Sequence, residues 1–531
     1  MVDDAQEKIR DIWGSTYARG RRILEFVGSP AGATPFAFEN GVIARAIRDG
    51  DWLLIDEINM ASIECLNSIA SLLNEQNSQK NPNFRLFACM NPANDSGKRR
   101  LPNFIRSKFT EFFVEETREK AQLNQIVRHY MPQLLSTDVL TNFYMEITKK
   151  LTKKFSLRNL CRSLLMTRDD VFRDKAYSLY TALELGFSAG TDPVINKDIF
   201  DLMQKHHGKK PVLKVRPLAD EMQKELVLIE GVRFPRGPLL TIEDDGFVYT
   251  NSVQINLQRI ACATAKGRFP VLLEGETSAG KTSILTHLAK RTGHRLHRIN
   301  NHEHTDVQEY FGSYVADEKN QLVFREGILL QAMRNGDWVI LDELNLAPTE
   351  VLESLNRLLD DNREVYVAET DTVIKANSRF RIFATQNPVG AYSGRKRLSR
   401  AFMNRFVILN IQQPPNNELC QIVCARCKIH QTAAEVMITV MSELKALRSN
   451  SNLFSAADSF MTLRDLFRWA NRFANYADHS DWRQVVADQG YLLLAGRCRK
   501  KMDRTLGKRW NQIAQDRSEW KERSKYSHQI N

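Results

Sequence analysis

The run Gly275-Glu276-Thr277-Ser278-Ala279-Gly280-Lys281-Thr282 constrains the fold more than any other stretch of the chain. It fits G-x-x-x-x-G-K-[ST], a turn that joins an apolar strand to the N-terminus of a helix. Pro270 to Glu274 predicts that strand, and Lys281 to Lys290 predicts that helix. Further on, Trp338-Val339-Ile340-Leu341 is apolar on consecutive positions, the pattern of a strand buried on both faces of a parallel sheet, and it runs into Asp342-Glu343. Strands alternating with helices place both motifs in an α/β fold.

These residue types suit phosphate chemistry. Consecutive backbone N–H groups in a glycine-rich turn at a helix N-terminus supply many fixed donors in a small volume, as a triphosphate requires. Gly275 and Gly280 permit the turn and the close approach. Lys281 reaches the outer phosphates as a point charge, and the Thr282 hydroxyl takes a Mg²⁺ position. Glu276, Thr277, Ser278, Ala279 and Ser283 complete the candidate nucleotide-binding set. Asp342 is expected to hold Mg²⁺ directly or through water, and Glu343 to polarise an attacking water. Asn387, at the end of the strand Phe383 to Gln386, is a candidate to contact the same water or the γ-phosphate. Arg464, in the helical segment Thr462-Leu463-Arg464-Asp465-Leu466, is a candidate to bring a charge to that phosphate, with a surface salt bridge as the alternative.

Part of the cassette occurs twice. Gly50-Asp51-Trp52 matches Gly336-Asp337-Trp338 and Phe36 to Gly41 matches Leu322 to Gly327, both at an offset of 286. Phe87-Ala88-Cys89-Met90-Asn91-Pro92 matches Phe383 to Pro388 at 296, and Ser156 to Leu160 matches Thr462 to Leu466 at 306. A period near 300 means tandem domains, not a solenoid. The first copy has Asp56-Glu57 after its strand but no glycine-rich loop before it. The second copy holds ten extra residues between its carboxylate strand and its Asn-Pro strand. They fall at Glu364 to Ile374, two β-rich runs around a polar turn, and predict an inserted hairpin. The first copy has only the polar Asn74 to Lys80 there.

Two constellations that look like metal sites are better explained otherwise. His302-Glu303-His304 lacks the spacing that puts two histidines on one helix face. Leu419, Cys420, Val423, Cys424 and Cys427 trace one apolar helical stripe, which predicts core packing for those cysteines.

The 531 residues are too many for one core. The 8 cysteines are sparse, and Asp3, Asp4 and Glu7 precede any apolar run, so a reducing compartment is expected. No stretch approaches the ~18 to 20 apolar residues of a membrane helix, so no membrane partner is expected. The net charge of +12 is concentrated at one end: Arg497 to Asn531 carries 11 Lys and Arg against 4 acids. That basic tail reads as a solvated helix or frayed terminus, or as a contact to rRNA or an acidic partner.

Loop, carboxylate strand, Asn strand and lid arginine in this order resemble the AAA+ ATPases. The inserted hairpin narrows the resemblance to the branch holding MoxR-type proteins and the midasins, giant chains with six AAA+ modules in a ring. Longer strings are similar to the third midasin module: Asn300 to Asp306, Leu341 to Thr349, Leu355 to Arg363 and Ser393 to Phe402. Phe87 to Pro92 and Ser96 to Ser107 resemble the second. The resemblance implies tandem AAA+ modules, each a parallel P-loop αβα sandwich followed by a small helical lid. It also implies a fragment of a longer chain: 1–30 a remnant of a helical insert, 31–115 a first core without its loop, 116–204 its lid, 205–245 a linker, 246–412 a complete second core, 413–500 its lid, and 501–531 the tail.

The same resemblance implies roles. Gly275, Gly280, Lys281 and Thr282 bind ATP and Mg²⁺; Asp342 and Glu343 form the carboxylate pair; Asn387 and Arg464 are the two sensors. Asn404-Arg405-Phe406 matches a finger motif, so Arg405 is expected to reach a neighbouring module's site. The first copy has Lys108 at that place, which keeps the charge and loses the bidentate fork. Implied too is a nuclear remodeller, nucleolar and nucleoplasmic, that releases assembly factors from maturing pre-60S ribosomal particles and works with neighbouring modules of the same chain. Two other readings stay open, a non-catalytic scaffold with a structural nucleotide and a stand-alone MoxR-like ATPase.

Overall fold

The computed structural model describes residues 41–73, 81–91, 100–134, 136–151, 155–188, 193–215, 217–242, 246–318, 322–367, 369–370, 372–388, 397–450, 462–476 and 481–494. The expected remnant at 1–30, the repeat half Phe36 to Asn40, the polar run Asn74 to Lys80, the string Ser393 to Lys396 and the basic tail from Arg497 lie outside those residues. The chain divides into two compact units, 1–114 and 115–531.

The first unit contains α1 (Val42–Asp49), β1 (Trp52–Ile55), α2 (Ile63–Leu72), β2 (Arg85–Ala88) and α3 (Asn103–Arg106). β1 and β2 pair in parallel, with Leu54 opposite Phe87. Ile58, Leu66, Ile69 and Ile105 form a small core beneath them. The other sheet face is open, with Trp52 74% and Leu54 61% exposed. Their counterparts in the second copy, Trp338 and Ile340, are fully buried. There one hydrophobic layer includes both of them and Ile284, Leu285 and Leu288 of the helix after the glycine-rich loop, with Phe234 and His294 against the Trp338 ring.

The second unit opens with a helical bundle: α4 (Lys120–Tyr130), α5 (Asp138–Lys150), α6 (Leu157–Asp169), α7 (Lys175–Leu183), a π turn over Glu184–Ser188, and α8 (Pro193–His207). Leu123, Phe143, Leu160, Leu183, Phe187 and Met203 pack at its centre. The segment read as a linker contains an antiparallel hairpin, β3 (Leu226–Ile229) and β4 (Val232–Pro235). Helix α9 (Asn251–Thr264) then leads into the α/β core. Its elements are β5 (Val271–Glu274), α10 (Lys281–Thr292), β6 (Leu296–Asn300), α11 (Val307–Phe311), β7 (Gly312–Ala316), β8 (Leu322–Glu326), α12 (Ile328–Asn335) and β9 (Trp338–Asp342). Short helices α13 (Thr349–Ser354) and α14 (Asn356–Leu359) precede β10 (Glu364–Val367), β11 (Thr372–Lys375), β12 (Arg381–Gln386), α15 (Arg400–Met403) and β13 (Val407–Asn410). A second bundle follows: α16 (Asn416–Cys427), α17 (Gln431–Asn450), α18 (Leu463–Ala474) and α19 (Trp482–Leu494).

Five strands form one parallel sheet in the order β13-β5-β12-β9-β6. The pleat explains the continuous apolar runs. Val271, Leu273, Trp338, Ile340 and Phe383 face one hydrophobic layer, while Leu272, Val339, Leu341, Ile382 and Ala384 face the other. The inserted hairpin forms as expected, β10 pairing with β11 through Val365 and Ile374. A second hairpin, β7 with β8, was not anticipated; Val315, Leu322 and Val323 are exposed in it, so it carries no strong burial pattern.

The repeat Ser156 to Asn159 and Thr462 to Asp465 is a capping box in both lids. Ser156 and Asn159 close the N-terminus of α6, and Thr462 and Asp465 close that of α18. Of the Cys420 stripe, Leu419, Cys420, Val423 and Cys427 are buried in the core of the second bundle and Cys424 packs half-buried against it.

The first bundle and the hairpin share a core with the sheet. Met166, Val171, Phe172 and Leu185 of the bundle and Ile229, Val232 and Phe234 of the hairpin join Leu257, Ile260, Leu285 and Leu288 in one hydrophobic cluster. A buried ion pair adds a polar bolt at the same junction. Glu184, 3% exposed, accepts hydrogen bonds from Lys210 (2.8 Å) and from Arg259 of α9. Burial alone would raise the Glu184 pKa; Arg259 and Lys210 outweigh it and hold the carboxylate below its ordinary range.

Lys210 and Arg259 keep part of their hydration, so losing Glu184 removes charge-assisted hydrogen bonds without burying a bare charge. Glu184→Ala is expected to lower unfolding free energy by about 2 kcal/mol in urea titrations; no measurable loss would show the pair to be dispensable. Stability is also expected to fall on acidification. Burial pushes His294, which stacks on Trp338 at 4.6 Å, down to about 4, with Arg381 and Arg379 adding to the shift. A histidine with a depressed folded pKa costs nothing above the unfolded value near 6.5 and destabilises progressively as pH falls towards 4, by roughly 3 kcal/mol at the limit. Urea midpoints measured from pH 7 to pH 4.5 check this, and His294→Phe is expected to flatten the profile.

Candidate nucleotide-binding site

The glycine-rich loop sits at the C-terminal end of β5, inside the sheet between β13 and β12. Its backbone leaves little choice of residue at Gly275, where a Cβ would stand 2.2 Å from the Ile411 carbonyl oxygen. Ser278 (φ 67°) and Gly280 (φ 90°) both adopt left-handed backbone, which turns the chain into α10. Within this turn the Ser278 Oγ is buried with no hydrogen-bond partner. An orphaned hydroxyl in a cradle of turn amides at a helix N-terminus fits a bound phosphate chain.

Lys281, the first residue of α10, is 8% exposed. Its ammonium donates to the carbonyls of Gly275 (2.6 Å) and Glu276 (2.9 Å) and to Asn387 Oδ1 (2.8 Å). The loop lysine and the Asn at the end of β12 are thus joined directly, although 106 residues separate them. Thr282 is half-buried beside it and Ser283 is exposed.

Asp342 ends β9 with its carboxylate engaged on both oxygens. Oδ1 accepts from the Thr385 hydroxyl, and Oδ2 accepts from Arg298 Nε (2.8 Å) and Nη2. Its backbone carbonyl accepts from the N–H (3.0 Å) and side-chain amide (2.9 Å) of Asn301. Glu343 turns the chain in left-handed backbone at φ 52°, and its N–H donates to Thr385 Oγ1 at 3.2 Å. The first copy repeats the bend, with Glu57 at φ 54°. The next polar residue is tied the same way in both: Asn345 Nδ2 donates to the Asn387 carbonyl (3.1 Å), and Asn59 Nδ2 to the Asn91 carbonyl (3.2 Å). Thr282 beside the loop and Asp342 at the strand end are oxygen-bearing side chains that could take a metal ion.

Thr385, Arg298 and Asn345 belong to this cluster and escaped the sequence reading. The repeat held a signal for two of them. Asn59 stands 286 residues before Asn345, and Cys89 stands 296 residues before Thr385, so the first copy lacks the hydroxyl that supports the carboxylate.

The loop also reaches the second bundle. Glu276 accepts from Gln413 Nε2, and Gln413 Oε1 accepts from Lys445 of α17 (2.9 Å). Glu418 of α16 accepts from Ser252 at the start of α9.

Arg464 and Arg405 lie outside the hydrogen-bonded cluster. Arg464 is exposed on the first turn of α18, as Arg158 is on α6. Arg405 is 8% exposed, and its Nε donates to Asp360 Oδ1 at 3.0 Å. The backbone around Arg405 is gripped by the first bundle: Arg162 of α6 donates to the carbonyls of Arg405 (2.6 Å) and Phe406 (2.9 Å). Burial pushes Arg162 down to about 10.

Comparison with known proteins places these elements in a family. The profile of the AAA domain (dynein-related subfamily) matches residues 26–109 and 270–406, and that of the midasin AAA lid domain matches 418–510. Over 513 residues, 89% of this chain, the sequence is 39% identical to midasin of Dictyostelium discoideum; over 496 residues, 82% of this chain, it is 35% identical to midasin of Giardia intestinalis. It spans 8% and 10% of those two relatives. An uncharacterized protein of Staphylococcus haemolyticus is 28% identical over 201 residues, 37% of this chain and 76% of its own length. With two AAA matches, a midasin-type lid and a nucleotide loop facing a carboxylate pair, the chain belongs to the midasin family of AAA+ ATPases.

Proposed function

We propose that the second copy binds ATP with Mg²⁺ and hydrolyses it as one module of a larger remodelling machine. The observation that carries this reading is the bond from Lys281 to Asn387, which brings the phosphate loop and the sensor strand to one point beside Asp342 and Glu343. ATP supplies the phosphoanhydride, and Mg²⁺ the positive charge that offsets its oxygens. The loop N–H groups, Lys281 and the Ser278 hydroxyl bind the phosphates. Glu343 orients the attacking water and accepts its proton. Asn387 holds the water or the outer phosphate from the side. Thr385 fixes the Asp342 carboxylate, and through the Glu343 N–H it also fixes the turn that aims the second acid.

Family membership supports the wider proposal: energy-dependent release of assembly factors from maturing 60S ribosomal particles, in nucleolus and nucleoplasm, by a chain in which this piece is two of several modules. In AAA+ proteins one module holds nucleotide and the next supplies an arginine. The purified 531-residue chain is therefore expected to bind ATP and to turn it over slowly, since the absence of a neighbour's arginine costs ~10³-fold or more in related nucleotide hydrolases.

Lys281→Ala is expected to abolish Mg²⁺-dependent binding of a fluorescent ATP analogue, while Glu343→Gln keeps binding and loses turnover. Fast turnover by the isolated chain, or undiminished affinity in Lys281→Ala, would overturn the reading. If Glu343→Gln supports cell growth in place of the native protein, the scaffold reading takes over. Thr385→Val is expected to weaken Mg²⁺-dependent affinity about tenfold by freeing the Asp342 carboxylate, the typical cost of losing an outer partner at a metal site; titration with and without Mg²⁺ separates that effect from a general loss of fold.

A further inference from the structure

The Asp342 carboxylate meets a cation that the nucleotide chemistry does not account for. Arg298 lies on β6, the edge strand beside β9, opposite Ile340 and two residues short of the Asn300–Asp342 pair. Side chains two apart on a strand share a face, so Arg298 lies diagonally below Asp342. From there its guanidinium reaches Oδ2 through both Nε and Nη2, while Thr385 takes Oδ1. The Arg298 side chain is 53% exposed and that of Asp342 is 9% exposed, so the arginine enters the site from solvent and the carboxylate does not leave it.

We propose that Arg298 is a latch on the metal position, a positioning residue that keeps Asp342 from taking up a divalent cation until a nucleotide arrives. The proposal rests on the nucleotide site described above. A carboxylate has about four lone-pair sites. The fork of Arg298 covers the two on Oδ2, the oxygen opposite the one that Thr385 orients, so a metal or its water meets a carboxylate whose other side is already taken. Charge acts the same way: a guanidinium at hydrogen-bond distance offsets most of the attraction between one carboxylate and a cation. A triphosphate reverses the balance, because it brings several negative charges of its own. The half-exposed Arg298 can then swing away or turn to the phosphates at little cost in burial. Metal and nucleotide thereby load together, and the empty site stays free of bare cations.

The test reads metal binding directly, with Mn²⁺ as the probe and electron paramagnetic resonance counting the free ion, in the full chain without nucleotide. Arg298→Gln is expected to bind Mn²⁺ at least about tenfold more tightly than wild type, the solvent-screened floor for removing one unit charge beside a half-exposed site. The double variant Arg298→Gln with Asp342→Asn is expected to lose that gain, which ties it to the Asp342 carboxylate. Unchanged Mn²⁺ affinity in Arg298→Gln, or a gain that survives in the double variant, overturns the latch. A parallel titration with ADP and Mg²⁺ keeps the two ideas apart. If the wild type binds no nucleotide, the site reading fails; if wild type and Arg298→Gln both bind it while Mn²⁺ affinity stays level, only the latch fails.

Discussion

A charged amine taken out of water needs fixed oxygen partners, and the site is organised around meeting that demand for Lys281. Three acceptors surround its ammonium, two from the loop that carries it and one from a strand 106 residues away. The loop closes on itself and on β12 at once. Asn345 repeats the linkage one layer out by bonding the carbonyl of Asn387, and Thr385 ties the same strand to Asp342 and to the turn at Glu343. Loop, carboxylate strand and the strand before Asn387 form one hydrogen-bonded polar assembly at the end of an apolar sheet. Its precision comes from the sheet, whose strands are held on both faces.

The far end of β12 is held as firmly. Arg381 is 6% exposed and donates to the carbonyls of Thr264, Ala265, Ser378 and Phe380, capping the end of α9. Burial pushes its pKa down to about 9, with Arg363 nearby adding to the shift. The six-residue strand is thus pinned at both ends, by carbonyls at one and by the Lys281, Asp342 and Asn345 bonds at the other.

Local patterns in the sequence carried the phosphate loop, the strand into Asp342-Glu343, the strand into Asn387 and the inserted hairpin at Glu364 to Ile374. Each is a short segment whose residue types decide its own conformation. Thr385, Arg298 and Asn345 were invisible to that reading because their importance lies in partners brought close only by the sheet. Arg405 shows the same limit from the other side. Its motif singled it out as an arginine for a neighbouring module, and nothing local told of the bond to Asp360 or of the Arg162 grip on its backbone. The first lid is the largest omission: amphipathic helices announce that they will pack and not against which neighbour. Here they pack on the α/β core that follows them.

That shared core moves the natural cutting points of the polypeptide. Anyone expressing the complete nucleotide module alone would start near residue 246, after the prolines. Such a piece would leave behind Ile229, Val232, Phe234 and Leu185, and would turn the greasy underside of α9 and α10 out to water. Sticky, aggregating protein would be the outcome at the bench. A start near residue 115, where one compact unit gives way to the next, keeps the covering layer in place.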